Sequence, residues 1–286
     1  MPQVSIIIPS RNERFFTRTI RDVLEKATGS IEVFPVCDGY EPNEYVDDPR
    51  VTYLYLPQKK EAQKRQAINL AVSHATSPFI MALDAHCMLG KGFDVILAQD
   101  HQEDWISIPR RHRLDAERWC IQPQSDDRPP IDYEYIMYPQ KFDPPTLHGF
   151  KWDARTRERW DIPLDDTLTF QGSCWFMTKQ HFLNNHFMQT QGYGGWGQEA
   201  EELSFTTWLR GGRVVTNKRT WYAHLHKGKT YGRMYFLDRQ ALRACYAFSY
   251  DFWIHNKLEG RQHNFRWLLE KFGPLPGWPA KEQWVL

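Results

Sequence analysis

Val4 to Ile8 form a β-branched run closed by Pro9, the pattern of a strand buried on both faces. Arg14 to Lys26 follow with Phe16, Ile20, Val23 and Leu24 at helical spacing, so the chain opens on a βα unit. Ile31 to Val36 predict a second strand ending in Cys37-Asp38-Gly39. Val51 to Tyr55 predict a third, Glu61 to His74 a helix, and Phe79 to Leu83 a fourth strand. Alternation of this kind predicts a parallel sheet with helices on both faces. Trp105 to Ile108 predict a short strand, and the polar, proline-rich stretch from Ser125 to Pro145 predicts a loop. Loops of that length are often functional. Order resumes with Thr169 to Met177 as a strand, Lys179 to Asn185 as a short helix, Gln198 to Leu209 as a helix closed by Gly211-Gly212, and Arg213 to Thr216 as a strand. A long amphipathic helix is expected from about Tyr235 to Trp253, and a Pro- and Trp-rich tail from Gly273 is expected to wrap the surface. No internal repeat is seen.

With 286 residues, 41% of them hydrophobic and 25% charged, the chain can bury a full core. A formal net charge of +1 supplies no long-range field for nucleic acid or anionic membrane, so charge alone names no partner. The opening residues lack a basic start, a long apolar segment and a small-residue cleavage site; the expectation is a cytoplasmic protein with no membrane partner. Cys37, Cys87, Cys120, Cys174 and Cys245 are odd in number and scattered without CxxC spacing, which argues against a disulfide framework or a zinc knuckle. Reduced core cysteines are expected instead. Aromatic residues make up 15% of the chain, with 12 tryptophans, and large rings floor sugar or base sites as well as filling cores.

The strand Phe79 to Leu83 delivers Asp84-Ala85-His86. An acid and a histidine two residues apart in extended chain point the same way, and their O/N pair suits a borderline divalent ion such as Mn2+ better than calcium; the expected cofactor is Mn2+, with Mg2+ the alternative. Open parallel sheets bind ligands at the carboxyl ends of their strands. Taken alone, the triplet is also that of a solvated turn.

Several segments, in order, resemble one family. Val4 to Glu13, reading VSIIIPSRNE, Asp38-Gly39 and Leu83-Asp84-Ala85-His86 resemble the nucleotide-binding half of a GT-A glycosyltransferase of the family-2 type. Trp196-Gly197-Gln198-Glu199-Ala200-Glu201-Glu202-Leu203-Ser204-Phe205, Gly149-Phe150-Lys151-Trp152 and Ala223-His224-Leu225-His226-Lys227 are similar to motifs of the polypeptide N-acetylgalactosaminyltransferases. The resemblance covers roughly residues 3 to 250. It implies an α/β GT-A fold: a Rossmann-like, mostly parallel sheet flanked by helices, with a merged acceptor half. Residues 1–103 would form the nucleotide-sugar half, 104–254 the acceptor and catalytic half, and 255–286 a C-terminal tail.

The resemblance also implies roles. A departing nucleotide diphosphate needs its charge neutralised, and a divalent ion does this as a Lewis acid. Asp84 and His86 would supply two ligands and His224 the third, with His226, one strand period away, a competitor for that place. Asp38 would accept from the uracil ring of a UDP-sugar, and Pro9, Ser10, Arg11, Arg65, Asp84 and Ala85 would line the nucleotide, although Lys64 and Arg65 read equally as solvated surface. Gly172 and Ser173, with Gln171, would let backbone approach the donor sugar. Trp196, between glycines that permit hinge motion, would stack on it, and Lys227, Lys229 and Arg233 would bind the diphosphate as a lid closes. Glu199 and Glu202, at i and i+3 near a helix start, would be catalytic, or else would cap the helix and offset its dipole. Ala200 stands where many inverting members carry an aspartate base, which favours a retaining reaction; inversion would need Glu199 or Glu201 as base.

The expected partners are a nucleotide sugar, with an N-acetylhexosamine favoured, and a hydroxyl acceptor: modified DNA, polypeptide or glycan. The animal enzymes carry a membrane anchor and usually a lectin domain, neither of which is expected of this protein, and phages use related domains on hydroxymethylated pyrimidines. Arg110, Arg111, His112, Arg113, Arg155, Arg157 and Arg159, with nearby tryptophans, would line a groove for such DNA or form an ordinary solvated face. Two other classes compete. One is a non-catalytic nucleotide-sugar or glycan-binding module. The other is a nucleotidyltransferase, which would show a glycine-rich basic loop where Ser10-Arg11-Asn12-Glu13 stands.

Overall fold

The computed structural model describes residues 3–125 and 127–284. Met1, Pro2, Asp126, Val285 and Leu286, which belong to the expected opening, polar loop and tail, lie outside the described residues. The first half runs β1 (Val4–Ser10), α1 (Phe16–Lys26), β2 (Ile31–Asp38), β3 (Leu54–Leu56), α2 (Lys64–His74), β4 (Phe79–Leu83), β5 (Cys87–Leu89) and α3 (Phe93–Asp100). Then come β6 (Trp105–Asp115), β7 (Cys120–Ile121), β8 (Glu134–Ile136), β9 (Gly149–Lys151), α4 (Asp153–Glu158) and β10 (Leu164–Asp166). The chain continues with β11 (Cys174–Thr178), α5 (Lys179–Asn184), α6 (Glu199–Leu209), β12 (Arg213–His224), α7 (Gly228–Tyr231), α8 (Arg239–Ile254) and α9 (Phe265–Phe272).

A ten-stranded sheet has the order β10-β12-β6-β11-β4-β1-β2-β3, with β5 on β12 and β7 on β6. β3, β2, β1 and β4 are mutually parallel, and so are β6 and β12. Both faces are covered. On β1, Val4, Ile6 and Ile8 point into a core with Phe16, Ile20, Phe93 and Leu97 of α1 and α3, while Ile7 faces a second core with α2, α6 and α9. That two-sided burial is why the strand reads as a hydrophobic run rather than an alternation.

The alternation pattern predicts parallel neighbours, but β11 enters antiparallel between β4 and β6. The consequence is functional. An antiparallel strand begins where its parallel neighbour ends, so Cys174 pairs with Leu83 and the Asp84 N–H donates to the Ser173 carbonyl at 2.8 Å. Gly172-Ser173 therefore sits beside Asp84. The strand also starts five residues later than the hydrophobic run suggests, because Gln171 to Ser173 turn in front of it.

β6 and β12 extend well beyond their expected ends at Ile108 and Thr216. Pro109 of β6 faces Asn217, and the register then skips to Arg110–Trp221, so the proline lies at a bulge where a missing N–H is tolerated. Past the bulge β12 runs on to pair with β5, placing His224 opposite Cys87 and letting the Leu225 N–H donate to the His86 carbonyl at 3.1 Å. Two histidines 138 residues apart are brought together by this ladder. Cys37, Cys87, Cys174 and Cys245 are buried free thiols and Cys120 is an exposed one. No helix among the described residues is long and apolar enough to cross a membrane. The tail carries Trp278 and Trp284 against the core, with Trp278 Nε1 donating to the Ile136 carbonyl at 2.6 Å.

Candidate active site

The carboxyl ends of β1, β2 and β4, the turn before β11, the start of α6 and the end of β12 enclose a cavity of about 780 Å³. One part of its wall is formed by Pro9, Ser10, Arg11 and Asp38. Arg11 Nη1 donates to Asp38 Oδ2 at 3.0 Å, the Gln63 N–H to the same oxygen at 2.8 Å, and Gln63 Nε2 to Oδ1 at 2.7 Å. A carboxylate has about four acceptor sites, so Asp38 keeps capacity for a further donor such as a base N–H.

At the centre, one ligand atom each from Asp84, His86 and His224 lies within 4.8 Å of the others. His86 Nε2 and His224 Nε2 are 3.1 Å apart, and Asp84 Oδ2 lies 3.5 Å from His224 Nε2 and 3.9 Å from His86 Nε2. Two atoms held about 2.1 Å from one ion are roughly 3.0–3.4 Å apart at octahedral or tetrahedral angles; the histidine pair is already at that spacing, and a shift of the Asp84 carboxylate by a few tenths of an ångström brings the third atom to it. Protonation states agree. Burial pushes the His224 imidazole down to about 3, so its lone pair is available. Burial opposes the Asp84 charge, but the Lys64 ammonium at 2.7 Å and His224 outweigh it and hold the carboxyl well below its ordinary value. His226 lies beyond the end of β12, exposed, its ring 5.2 Å from that of His224; the cluster takes His224 and not His226.

Ala85, Gly172, Ser173, Trp196, Glu199, Lys227 and Arg233 also line the cavity. Gly172 has Glu199 and Ala200 in van der Waals reach of any added Cβ, so backbone forms the wall there. Glu199 Oε1 accepts from the Gly197 N–H at 2.8 Å, which steadies the turn into α6 while the residue faces the cavity. Arg233 lies over the Trp196 ring at 5.6 Å, and Lys227 donates to Glu13.

Three expected residues are elsewhere. Arg65 is fully buried, donating to Glu202 and to the carbonyls of Gly197 at 2.7 Å and Gln189 at 3.1 Å, with Tyr193 under its guanidinium at 4.3 Å. Lys64 takes the place expected of Arg65, bonding the Gly172 carbonyl at 2.9 Å as well as Asp84. Glu202 holds Arg65 and the Gln189 N–H at 3.0 Å, a structural task away from the cavity wall. Lys229 is exposed on α7, outside that wall. The loop bearing Trp196 is anchored rather than free, since the Arg65 N–H donates to the Gly195 carbonyl at 3.1 Å.

Four residues of the basic cluster, Arg110, Arg111, Arg155 and Arg159, are engaged within the fold. Arg110 is bidentate to Asp132, Arg111 pairs with Glu134 at 2.5 Å, and Arg159 pairs with Asp165. Arg155 lies among the rings of Tyr133, Trp152 and Phe272. Sequence reasoning assigned no role to Glu13, Glu134 or His148, yet each lines the cavity. For Glu13 the signal was its place directly after the first strand; Glu134 lies in the stretch read as loop, and His148 between that stretch and Gly149.

Human polypeptide N-acetylgalactosaminyltransferase 12 is 26% identical over 247 residues, 79% of this chain and 40% of that protein. Mouse polypeptide N-acetylgalactosaminyltransferase 4 is 25% identical over 267 residues, 85% of this chain and 43% of that one. The chain thus spans about two fifths of the curated relatives it matches. A crystal structure of GalNAc-T7 with UDP, GalNAc and Mn2+ is similar in fold, with a TM-score of 0.70 at 14% identity, covering 95% of this chain and 56% of the other. The profile of glycosyl transferase family 2 matches residues 5–182, from β1 through the Asp84-Ala85-His86 step and into α5, and the chain belongs to that family.

Proposed function

We propose that this protein transfers a sugar from a UDP-sugar to a hydroxyl acceptor with a divalent cation, Mn2+ or Mg2+. The observation that carries this reading is the convergence of Asp84, His86 and His224 beside the Asp38 end of one cavity. When bound, the ion would neutralise the diphosphate as it leaves. Asp38 and Arg11 hold the nucleoside end, Lys64 sets the charge of Asp84, and Lys227 and Arg233 supply cations on the lid side. Gly172, Ser173, Glu199 and Trp196 frame the sugar. Residues 1–103 act as the donor half, 104–254 as the acceptor half and 255–286 as a C-terminal tail.

Ala200 leaves no carboxylate directly after Glu199, which supports a retaining reaction in which the protein orients the partners and stabilises charge. The similarity to N-acetylgalactosaminyltransferases supports an N-acetylhexosamine as the sugar. Modified DNA, a Ser or Thr of a polypeptide, and a glycan are the acceptor classes to be separated. Incubation with a panel of UDP-sugars and these acceptors, with Mn2+ or Mg2+, is read by mass change and by UDP release. Asp84→Ala and His86→Ala are each expected to abolish metal-dependent turnover with an unchanged circular dichroism spectrum. Normal turnover in both would remove the metal assignment, and UDP binding without turnover in the wild type would make the protein a binding module.

A further inference from the structure

Glu13 follows β1 in a turn of fixed shape. Asn12 adopts φ +55, and the Glu13 carbonyl accepts from the Phe16 N–H at 3.2 Å where α1 begins. This backbone aims the carboxylate into the cavity, between two groups of different function. Oε2 stands 3.5 Å from His86 Nδ1, and Oε1 receives the hydrogen bond from Lys227 Nζ. The other nitrogen of His86 is the one that faces Asp84 and His224.

His86 is 8% exposed and its Nδ1 has no hydrogen-bond partner. A separation of 3.5 Å is an ion-pair distance, too long for a good hydrogen bond, and a small rotation of the Glu13 side chain closes it. A buried N–H without an acceptor is costly, and Glu13 brings its carboxylate to that nitrogen. Histidines that bind metals are commonly oriented in this way, through a carboxylate on the far nitrogen that fixes the tautomer and raises ligand basicity.

We infer that Glu13 is a positioning residue for the metal, holding His86 as the Nδ1–H tautomer with the Nε2 lone pair directed at the ion, and that Lys227 modulates this through the same carboxylate. The inference rests on the metal-dependent reading above. With Lys227 bound to Glu13, part of the carboxylate charge is committed to the lid. A diphosphate that draws Lys227 away leaves that charge to His86, so donor binding and metal affinity are coupled through one side chain.

The test is calorimetric titration of Mn2+ alone into the full chain, with imidazole 15N shifts of His86 read in parallel. Glu13→Gln is expected to weaken Mn2+ binding by roughly 10–100-fold and to convert His86 from the Nδ1–H form to a mixture of tautomers. Lys227→Met is expected to bind Mn2+ more tightly than the wild type, and the double variant as weakly as Glu13→Gln. Glu13→Asp, which keeps the charge but withdraws it by a methylene, is expected to fall between wild type and Glu13→Gln and replaces that variant if it does not fold. Mn2+ affinity unchanged in Glu13→Gln overturns the assignment. Mn2+ affinity unchanged or weakened in Lys227→Met overturns the coupling. A wild type that binds Mn2+ no better than Asp84→Asn overturns the metal site itself, and the Glu13 role with it.

Discussion

Lys64 and Arg65 show how little separates a site residue from a core residue. Successive positions on an α-helix are about 100° apart, so one side chain of α2 reaches Asp84 and Gly172 while the next enters the core against Glu202. The basic pair was legible in the sequence, but the choice between its members depends on the rotation of α2, which only packing sets. Asp84 and His86 were legible because a strand end states its own direction. His224 came from the resemblance alone, since nothing in residues 213–224 announces the ladder to β5. Glu201 is the residue whose chemistry is hardest to anticipate. It lines the cavity at 8% exposure, accepts from the Gly149 N–H at 3.3 Å, and burial, with Glu134 and Glu199 nearby, pushes its carboxyl up to about 8. An unfolded glutamate titrates near 4.5, so between about 4.5 and 8 the native state holds a proton that the unfolded chain has lost. Stability from this group is therefore complete below pH 4.5 and falls as pH rises through the folded value. Glu201→Gln keeps the shape without the proton, and its Tm is expected to gain on the wild type between pH 5 and pH 8. A wild-type-to-variant difference that does not change with pH would show that Glu201 is ionised throughout.

At the scale of elements, β1, α1, α2 and β4 follow from their hydrophobic residues because each buries them directly against the sheet or in the core. The distal parts of β6 and β12 do not. Arg110 and Arg111 look like solvent-facing residues in a string, yet they are partnered by Asp132 and Glu134 from a segment that reads as loop, and β8 lies inside that segment. Charge compensation across elements thus rescues strand positions that local pattern rejects. α3 was missed for another reason: a short apolar stretch such as Phe93 to Leu97 has no resolvable period. The loop before α6 is also set by contact between elements. A Cβ at Gly195 would collide with the Ala62 carbonyl oxygen at the approach to α2, so the glycine there permits close approach rather than hinge motion. Gly195→Ala is expected to cost about 1–3 kcal/mol, as overpacking does, and to shift tryptophan emission as Trp196 moves relative to the cavity. Thermal melting and fluorescence both unchanged would mean that the loop does not depend on this seat.

Across the whole molecule, no single segment contains the site. β1 contributes Arg11 and Glu13 just past its end, β4 leads into Asp84 and His86, β12 ends in His224, and α6 begins with Glu199, so the first and last contributors are separated by most of the chain. Such a site exists only when the sheet is assembled, and a ligand that needs all of it binds the native state and not the unfolded one. The stabilisation is then RT ln(1 + [L]/Kd), about 2.7 kcal/mol at a hundredfold excess over Kd. For a chain of 286 residues that corresponds to a rise in Tm of roughly 4–5 °C. Mn2+ with UDP is expected to produce such a rise in the wild type, with EDTA removing the metal-dependent share. Asp84→Asn is expected to lose that share, measured against its own unliganded Tm, which is itself lowered by loss of the Lys64–Asp84 ion pair. A full metal-dependent shift in Asp84→Asn would place the ion elsewhere, and no shift in the wild type would mean that these segments meet without forming a cation site.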